Sequence, residues 1–275
     1  MTAVAPGDLA GHTIVMSGGS RGIGLAILLA AAKRGANAVI LAKTDAPDPR
    51  LPGTVHTAVA EIEAAGGRAT AVVGDVRNED DVARAVQTAL DTYGGVDVCV
   101  NNASAISQTA TTELSAKRYD LMADINVRGT FLLSKACLPH LVDSGRGQIL
   151  TLSPPLNMSP HWLGRFPAYT MTKYAMTTLT LGFSAEVESV AATCLWPQTR
   201  IATAVIKNLL GGDEAVAKSR DPAIMADAAA VILTSGGSFD GQTVIDADVL
   251  RGAGVTDLSG YGGGDDPTLD LYVDP

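Results

Sequence analysis

The chain has 275 residues, 47% of them hydrophobic, and a formal net charge of −9 at pH 7. That length and apolar content suit one large α/β domain, while an acidic balance without a basic cluster argues against a surface for nucleic acid or anionic lipid. The longest apolar run, residues 25–32, is too short to span a bilayer, and residues 1–11 lack a secretory leader pattern.

The first strand is expected over 12–17 and runs straight into Ser17-Gly18-Gly19-Ser20-Arg21-Gly22-Ile23-Gly24 and a helix over 22–34. Gly18, Gly22 and Gly24 permit a tight turn and let backbone N–H groups approach a pyrophosphate, and the helix N-terminus adds the positive end of its dipole. A glycine triplet alone is a weak signal. Its place between a first strand and a first helix makes it a dinucleotide loop, with Ser17, Gly18, Ser20, Arg21, Gly22, Ile23 and Gly24 as candidate contacts. The second strand, 38–42, ends at Ala42-Lys43-Thr44. NAD sites usually place an acidic side chain here, on the adenosine ribose. Ala42 offers none, whereas Lys43 and Arg21 could flank a 2′-phosphate; Asp45 is the counter-indication. NADP(H) is therefore the expected cofactor, with NAD as the alternative.

A proline-rich loop over 44–53, a helix over 54–65 and a strand over 69–74 follow. Asp75-Val76 at that strand's end could meet the adenine, or Asp75 could cap the next helix, 78–93. The fourth strand, 96–100, leads to Asn101-Asn102-Ala103-Ser104, where Asn102 and Ala103 are candidates to line a cofactor channel. A long helix over 114–143 carries Asn126. A strand over 148–152 precedes Ser153-Pro154-Pro155, and a helix over 168–189 carries Tyr169 and Lys173. Four residues apart, these two share a helix face. A phenol near pKa ~10 needs roughly 4 kcal/mol of phenolate stabilisation to titrate about three units lower. One ammonium at about 4 Å supplies about that at an effective dielectric near 20.

Both long helices are apolar nearly all round, so a second subunit is expected to cover their outer face, giving a homodimer or homotetramer. After a strand over 191–195, residues 197–220 are expected as a lid. A helix over 222–235, a strand over 243–245 and a Gly- and Asp-rich tail over 255–275, extended or partly disordered, complete the chain. The alternation specifies a Rossmann-type doubly wound parallel sheet of about seven strands with helices on both faces, in a single domain over 1–254. Cys99, Cys137 and Cys194 read as buried thiols of a cytoplasmic protein, and the four scattered histidines give no metal site.

The glycine loop, Asp75, Asn101-Asn102-Ala103, Asn126-Val127-Arg128-Gly129 and Tyr169-Thr170-Met171-Thr172-Lys173 stand in that order. Through them the chain resembles the short-chain dehydrogenase/reductase family over residues 10–250. Within it, residues 101–107, 152–157 and 195–197 and the proline-rich loop resemble the hydroxysteroid dehydrogenase-like protein 2 group. Animal members of that group carry a sterol-carrier-type domain after the dehydrogenase, and this sequence is expected to end without one. The resemblance implies NADP(H)-dependent interconversion of a carbonyl and a secondary alcohol. Tyr169 would exchange the proton and Lys173 would also donate to the nicotinamide ribose. It implies a water held by Asn126 in a proton relay to Lys173, with simple packing as the alternative. It also puts Ile201 beside the nicotinamide carboxamide and Thr203 near the pyrophosphate.

The family's substrate-orienting serine is where the pattern departs. An ungapped match puts Pro154 at its place and Ser153 one residue earlier, so Ser153 serves only if Pro154-Pro155 redirects the chain. Met158, Trp162, Leu163 and Phe166 could wall an apolar substrate site or pack elsewhere. Two functions stay open: an oxidoreductase acting on an apolar carbonyl or alcohol, and an NADP(H)-binding sensor or scaffold with little turnover.

Overall fold

Seven short apolar runs form the centre of the computed structural model, which describes residues 8–48, 52–209 and 211–274. They are β1 (Thr13–Ser17), β2 (Asn37–Ala42), β3 (Arg68–Val73), β4 (Val98–Asn101), β5 (Gln148–Thr151), β6 (Ala191–Trp196) and β7 (Thr243–Ile245). All pair in parallel, in the order β3-β2-β1-β4-β5-β6-β7. Every residue of β1, β4 and β5 is buried, which is why these strands are continuous apolar runs and do not alternate with polar residues.

Alternate side chains serve opposite layers. Ile14, Met16 and Ile40 join α1 (Gly22–Ala32), α2 (Val55–Ala64), α10 (Ala223–Leu233) and α11 (Asp246–Gly252) on one face. Val15, Val39 and Ile149 join α3 (Glu79–Tyr93), α5 (Gly129–Ser144) and α7 (Pro167–Glu186) on the other.

The strand order reverses between β1 and β4, and a crevice opens beyond the carboxyl ends of strands at such a switch point. The register sets Ser17, Asn101, Thr151 and Cys194 abreast. The segments that follow these four residues therefore emerge along one edge of the sheet.

The helix expected over 114–143 is built in three parts: α4 (Ala116–Met122), a π-helical segment over Ala123–Arg128, and α5. The segment 197–220 contains α8 (Ala204–Leu209) and α9 (Gly212–Ala217), and α6 (Pro160–Arg165) precedes α7. Residues 255–274, expected as an extended or partly disordered tail, fold back over the carboxyl edge of the sheet. Leu269 bridges Thr199 and Gly262 bridges Arg220. Leu258 is buried in the core, and Tyr272 is 3% exposed among Trp162, Tyr174 and Trp196. Apolar side chains within the Gly- and Asp-rich stretch, not its average composition, decide its placement. Among the described residues no helix is long and apolar enough to cross a membrane.

Candidate active site

From Ser17 the chain turns through Gly18 (φ +75°) and Gly22 (φ +56°), in the region that side chains with a Cβ rarely adopt. A Cβ on Gly18 would stand 2.9 Å from both Ala103 Cα and Asn102 Nδ2. The loop thus lies directly on the segment after β4. Asn102 Nδ2 donates to the carbonyls of Ser17 (3.2 Å) and Gly18 (2.8 Å), and Ser17 Oγ accepts from the backbone N–H groups of Asn102 (3.3 Å) and Ala103 (3.2 Å).

The N-cap residue of α1, Arg21, makes no side-chain cap, so the first N–H groups of the helix are left for another acceptor. They border a cavity of about 640 Å3 lined by Gly18, Ser20, Arg21, Gly22, Ile23, Gly24, Lys43, Asp75, Val76, Asn102, Ala103 and Thr203. A glycine cradle and an uncapped helix start fit the pyrophosphate of a dinucleotide. Ser17 lies beneath this cavity as a buried anchor, and Ile201 lines the adjoining one.

At the adenosine end, Lys43 Nζ is 3.1 Å from Asp75 Oδ2, and Arg77 grips the same carboxylate at 2.6 Å. The Arg77 hydrogen bonds are the main reason that Asp75 stays well below the usual carboxylate range. Arg21 donates to the Gly53 carbonyl at 2.6 Å and so holds the end of the proline-rich loop at Gly53. Asp45, the acidic counter-candidate, pairs with His56 at 2.6 Å.

Tyr169 and Lys173, on the first turns of α7, line a second cavity of about 700 Å3 with Ser104, Leu152, Trp162, Trp196, Arg200 and Asp270. They are 5% and 2% exposed. Lys173 Nζ donates to the Leu152 carbonyl and lies 5.0 Å from the centre of the Trp196 ring. Burial lowers its pKa to about 7, against the pull of Asp270. Burial also raises the Tyr169 phenol well above its ordinary value, Tyr272 and Asp270 add to the rise, and a hydrogen bond with Ser104 opposes it. The four-residue spacing leads one to expect Lys173 to lower the phenol. Here desolvation outweighs any such effect, because the amine is directed at Leu152 and is itself costly to charge.

Asn126 lies in the π-helical segment and is fully buried. Its Oδ1 accepts from Ala105 N–H (2.7 Å), and its Nδ2 donates to the Ala105 carbonyl (3.0 Å) and to Thr172 Oγ1 (3.0 Å). The side chain thereby clamps the loop after β4 and ties it to α7.

Ser153 is not brought to the cavity. It is fully buried, its Oγ lies against the Cys194 thiol, and it finds no nitrogen or oxygen partner among the described residues. Thr177 Oγ1 donates to the Pro154 carbonyl at 2.7 Å and holds this stretch along α7, so the proline pair does not turn Ser153 inward. Of the expected apolar wall, Trp162 lines the cavity, whereas Met158 is 65% exposed.

Sequence reasoning missed Ser104, Trp196, Asp270 and Leu271, all of which line the Tyr169 cavity. Ser104 was signalled by its place directly after Asn102-Ala103. The C-terminal residues were signalled only by the closely spaced Leu269, Leu271, Tyr272 and Val273 within a polar stretch.

The family described as short chain dehydrogenase matches residues 12–209. The chain belongs to the short-chain dehydrogenase family. Hydroxysteroid dehydrogenase-like protein 2 of Danio rerio is 51% identical over 256 residues, which are 93% of this chain and 61% of that protein. This short-chain dehydrogenase thus spans about three fifths of the length of the curated relatives it matches. Among solved structures, "a putative dehydrogenase from Xanthomonas campestris" is 47% identical with a TM-score of 0.93, covering 98% of this chain and 100% of that one. A short chain dehydrogenase from Mycobacterium thermoresistibile is 49% identical with a TM-score of 0.92, covering 97% and 96%. Membership makes the chain an oxidoreductase of a family that binds NAD(P), in keeping with the glycine cradle.

Proposed function

We propose that this chain uses NADP(H) to interconvert a carbonyl and a secondary alcohol, with Tyr169 exchanging the proton with the substrate oxygen. The observation that carries this reading is the continuity of the two cavities. Ile23, Asn102, Ser104, Thr203 and Val205 line both, so the glycine cradle opens onto the wall that holds Tyr169 and Lys173.

When bound, the dinucleotide supplies or removes the hydride. Gly18, Gly22 and the start of α1 would hold its pyrophosphate, Asp75 and Val76 would border the adenine, and Lys43 would face a 2′-phosphate, exchanging its pairing with Asp75. Ile201, Thr203 and Lys173 are the groups for the nicotinamide end. Burial keeps the Tyr169 phenol protonated, which suits it to donate a proton to a carbonyl oxygen as that oxygen gains charge. In the oxidative direction the phenolate must be stabilised, and a protonated Lys173 is the group for that task. Leu152, Trp162, Trp196 and Leu271 form an apolar wall that excludes water and suits an apolar substrate body.

Removing the phenolic hydroxyl with Tyr169→Phe is expected to lower turnover at least about 10²-fold, with NADPH affinity preserved. Wild-type turnover by that variant would overturn the mechanism. In the same titrations NADPH should bind more tightly than NADH, and Lys43→Ala should narrow the difference.

One observation favours a second reading. With Ser153 turned toward Cys194, the serine after β5 is missing from the cavity, and an NADP(H)-binding sensor or scaffold with little turnover would tolerate that. Tight NADPH binding without turnover on ketone, hydroxyacyl-thioester and steroid panels would select it. A homodimer or homotetramer through α5 and α7 belongs to either reading; Phe131 and Val142 on α5 are each 42% exposed. Both readings suit a cytoplasmic setting, in which the three free cysteines stay reduced.

A further inference from the structure

A carbonyl oxygen presents two lone-pair directions, and a single donor leaves its orientation loose. A second donor fixes the oxygen and stabilises the charge that develops on it, so a reductase site gains from a hydroxyl beside its proton donor. Ser153 is buried against Cys194. The amide nitrogen of Asn102 is committed to the carbonyls of Ser17 and Gly18, and the Lys173 amine donates to the Leu152 carbonyl. The Tyr272 hydroxyl is shared with Thr170 Oγ1 at 3.1 Å.

Ser104 differs from all of these. It is exposed, it lines both cavities, and it stands on the wall of the same cavity as the Tyr169 phenol, whose pKa it draws down, while making no other side-chain bond among the described residues. Its backbone is held on both sides. Ala103 N–H is anchored on Ser17 Oγ, and Ala105 is clamped through its N–H and its carbonyl by Asn126. A hydroxyl between two fixed neighbours is positioned before any ligand arrives.

We propose that Ser104, on the loop after β4, is the second substrate-binding hydroxyl of this site, donating to the substrate oxygen beside Tyr169 in place of a serine after β5. This rests on the oxidoreductase reading above. Ser104 keeps its proton throughout; the proton that the substrate oxygen gains comes from Tyr169, and Ser104 contributes a hydrogen bond that strengthens as the oxygen becomes negative. The π-helical segment gains a role as well, because Asn126 acts through Ala105 as a positioning residue for Ser104.

The test compares wild type with Ser104→Ala, Ser104→Thr, Ser153→Ala and Tyr169→Phe, using two readouts. The first needs no substrate: with tyrosine labelled at 13Cζ, the resonance missing from Tyr169→Phe belongs to Tyr169. That resonance should move in Ser104→Ala and hold its place in Ser153→Ala. The second is NADPH-dependent reduction of 9,10-phenanthrenequinone. Ser104→Ala should lower kcat about 10²-fold with the Kd for NADPH unchanged, Ser104→Thr should recover most of it, and Ser153→Ala should stay within about twofold. Because Ser104 is exposed, its alanine variant should melt with the wild type, which separates a lost hydrogen bond from a lost fold.

A Ser104→Ala enzyme within twofold of wild type, or a Tyr169 resonance that responds to Ser153→Ala but not to Ser104→Ala, overturns the proposal. If Tyr169→Phe retains full turnover, the oxidoreductase mechanism itself has failed. If the wild type leaves the quinone untouched, the oxidoreductase reading has failed for that ketone, and the resonance alone decides which serine meets the phenol.

Discussion

Lys173 combines a buried position with an ionisable head whose one strong acceptor is the Leu152 carbonyl. Its pKa falls to about 7, with burial the leading cause. An unfolded lysine titrates near 10.4, so between pH 7 and that value the unfolded chain binds more protons than the folded one. Stability contributed by this residue therefore rises with pH across that window and carries a constant penalty below it, on the order of 5 kcal/mol. Asp270 and Asp246, both lifted to about 6 by burial, act in the opposite sense. For them the folded chain holds more protons between about 4 and 6, and stability falls as pH rises through that range. Lys173→Met should thus unfold at higher denaturant than wild type near pH 6, with the advantage shrinking toward pH 10. An equal difference at the two pH values would mean that no penalty attaches to the buried ammonium.

The π-helical segment between α4 and α5 shows how an element can serve a site at a distance. π-Bulges inside helices are frequent at functional sites, and this one carries Asn126, whose three hydrogen bonds bind the loop after β4 to α7. Asn126→Ala would leave the Ala105 N–H, the Ala105 carbonyl and Thr172 Oγ1 without that partner, at a cost on the order of 2–4 kcal/mol. The expected outcome is a lower melting temperature together with faster hydrogen exchange at the Ala105 amide. An unchanged exchange rate would mean that the clamp does not hold in solution.

None of this bulge was visible in the sequence, because widening a helical turn alters backbone hydrogen bonding without changing the apolar pattern over 114–143. The strands were legible for the converse reason. The fully buried strands β1, β4 and β5 are near-continuous apolar runs, and all seven strands lie within about two residues of their expected bounds. The glycine loop and the Tyr169–Lys173 pair were equally legible, since each depends on spacing within one segment. Ser153 was not, because its burial depends on the path of Pro154, whose carbonyl is held by Thr177 from another element. Helices α6, α8 and α9, at six residues each, are too short to show a period.

At the scale of the whole molecule, the chain closes on itself through residues 255–274. Composition alone makes this stretch a tail, and the contacts that override composition are all long-range. The Tyr272 ring packs at a tilt, 5.7 Å from Trp162, 5.2 Å from Tyr174 and 6.0 Å from Trp196, measured between ring centres. Trp162 Nε1 donates to Asp274 Oδ1 at 2.8 Å, and Trp196 Nε1 donates to the Leu271 carbonyl at 2.9 Å. The chain has two tryptophans, and both rest on this one tyrosine. Tyr272→Ala removes a buried ring whose loss should cost about 3–5 kcal/mol, and it admits water to both indoles. The melting temperature should drop and the tryptophan emission should shift to the red; an unchanged emission maximum would show that the strap is not seated on the indoles in solution. The effect on ligands should be lopsided. Asp270, Leu271 and Val273 line the Tyr169 cavity, whereas among the described residues none after 205 lines the glycine-loop cavity. Loosening the strap should therefore raise KM for an apolar ketone well before it weakens NADPH binding. Equal losses on both would mean that the substitution has damaged the sheet edge as a whole, because the strap by itself reaches only the substrate side.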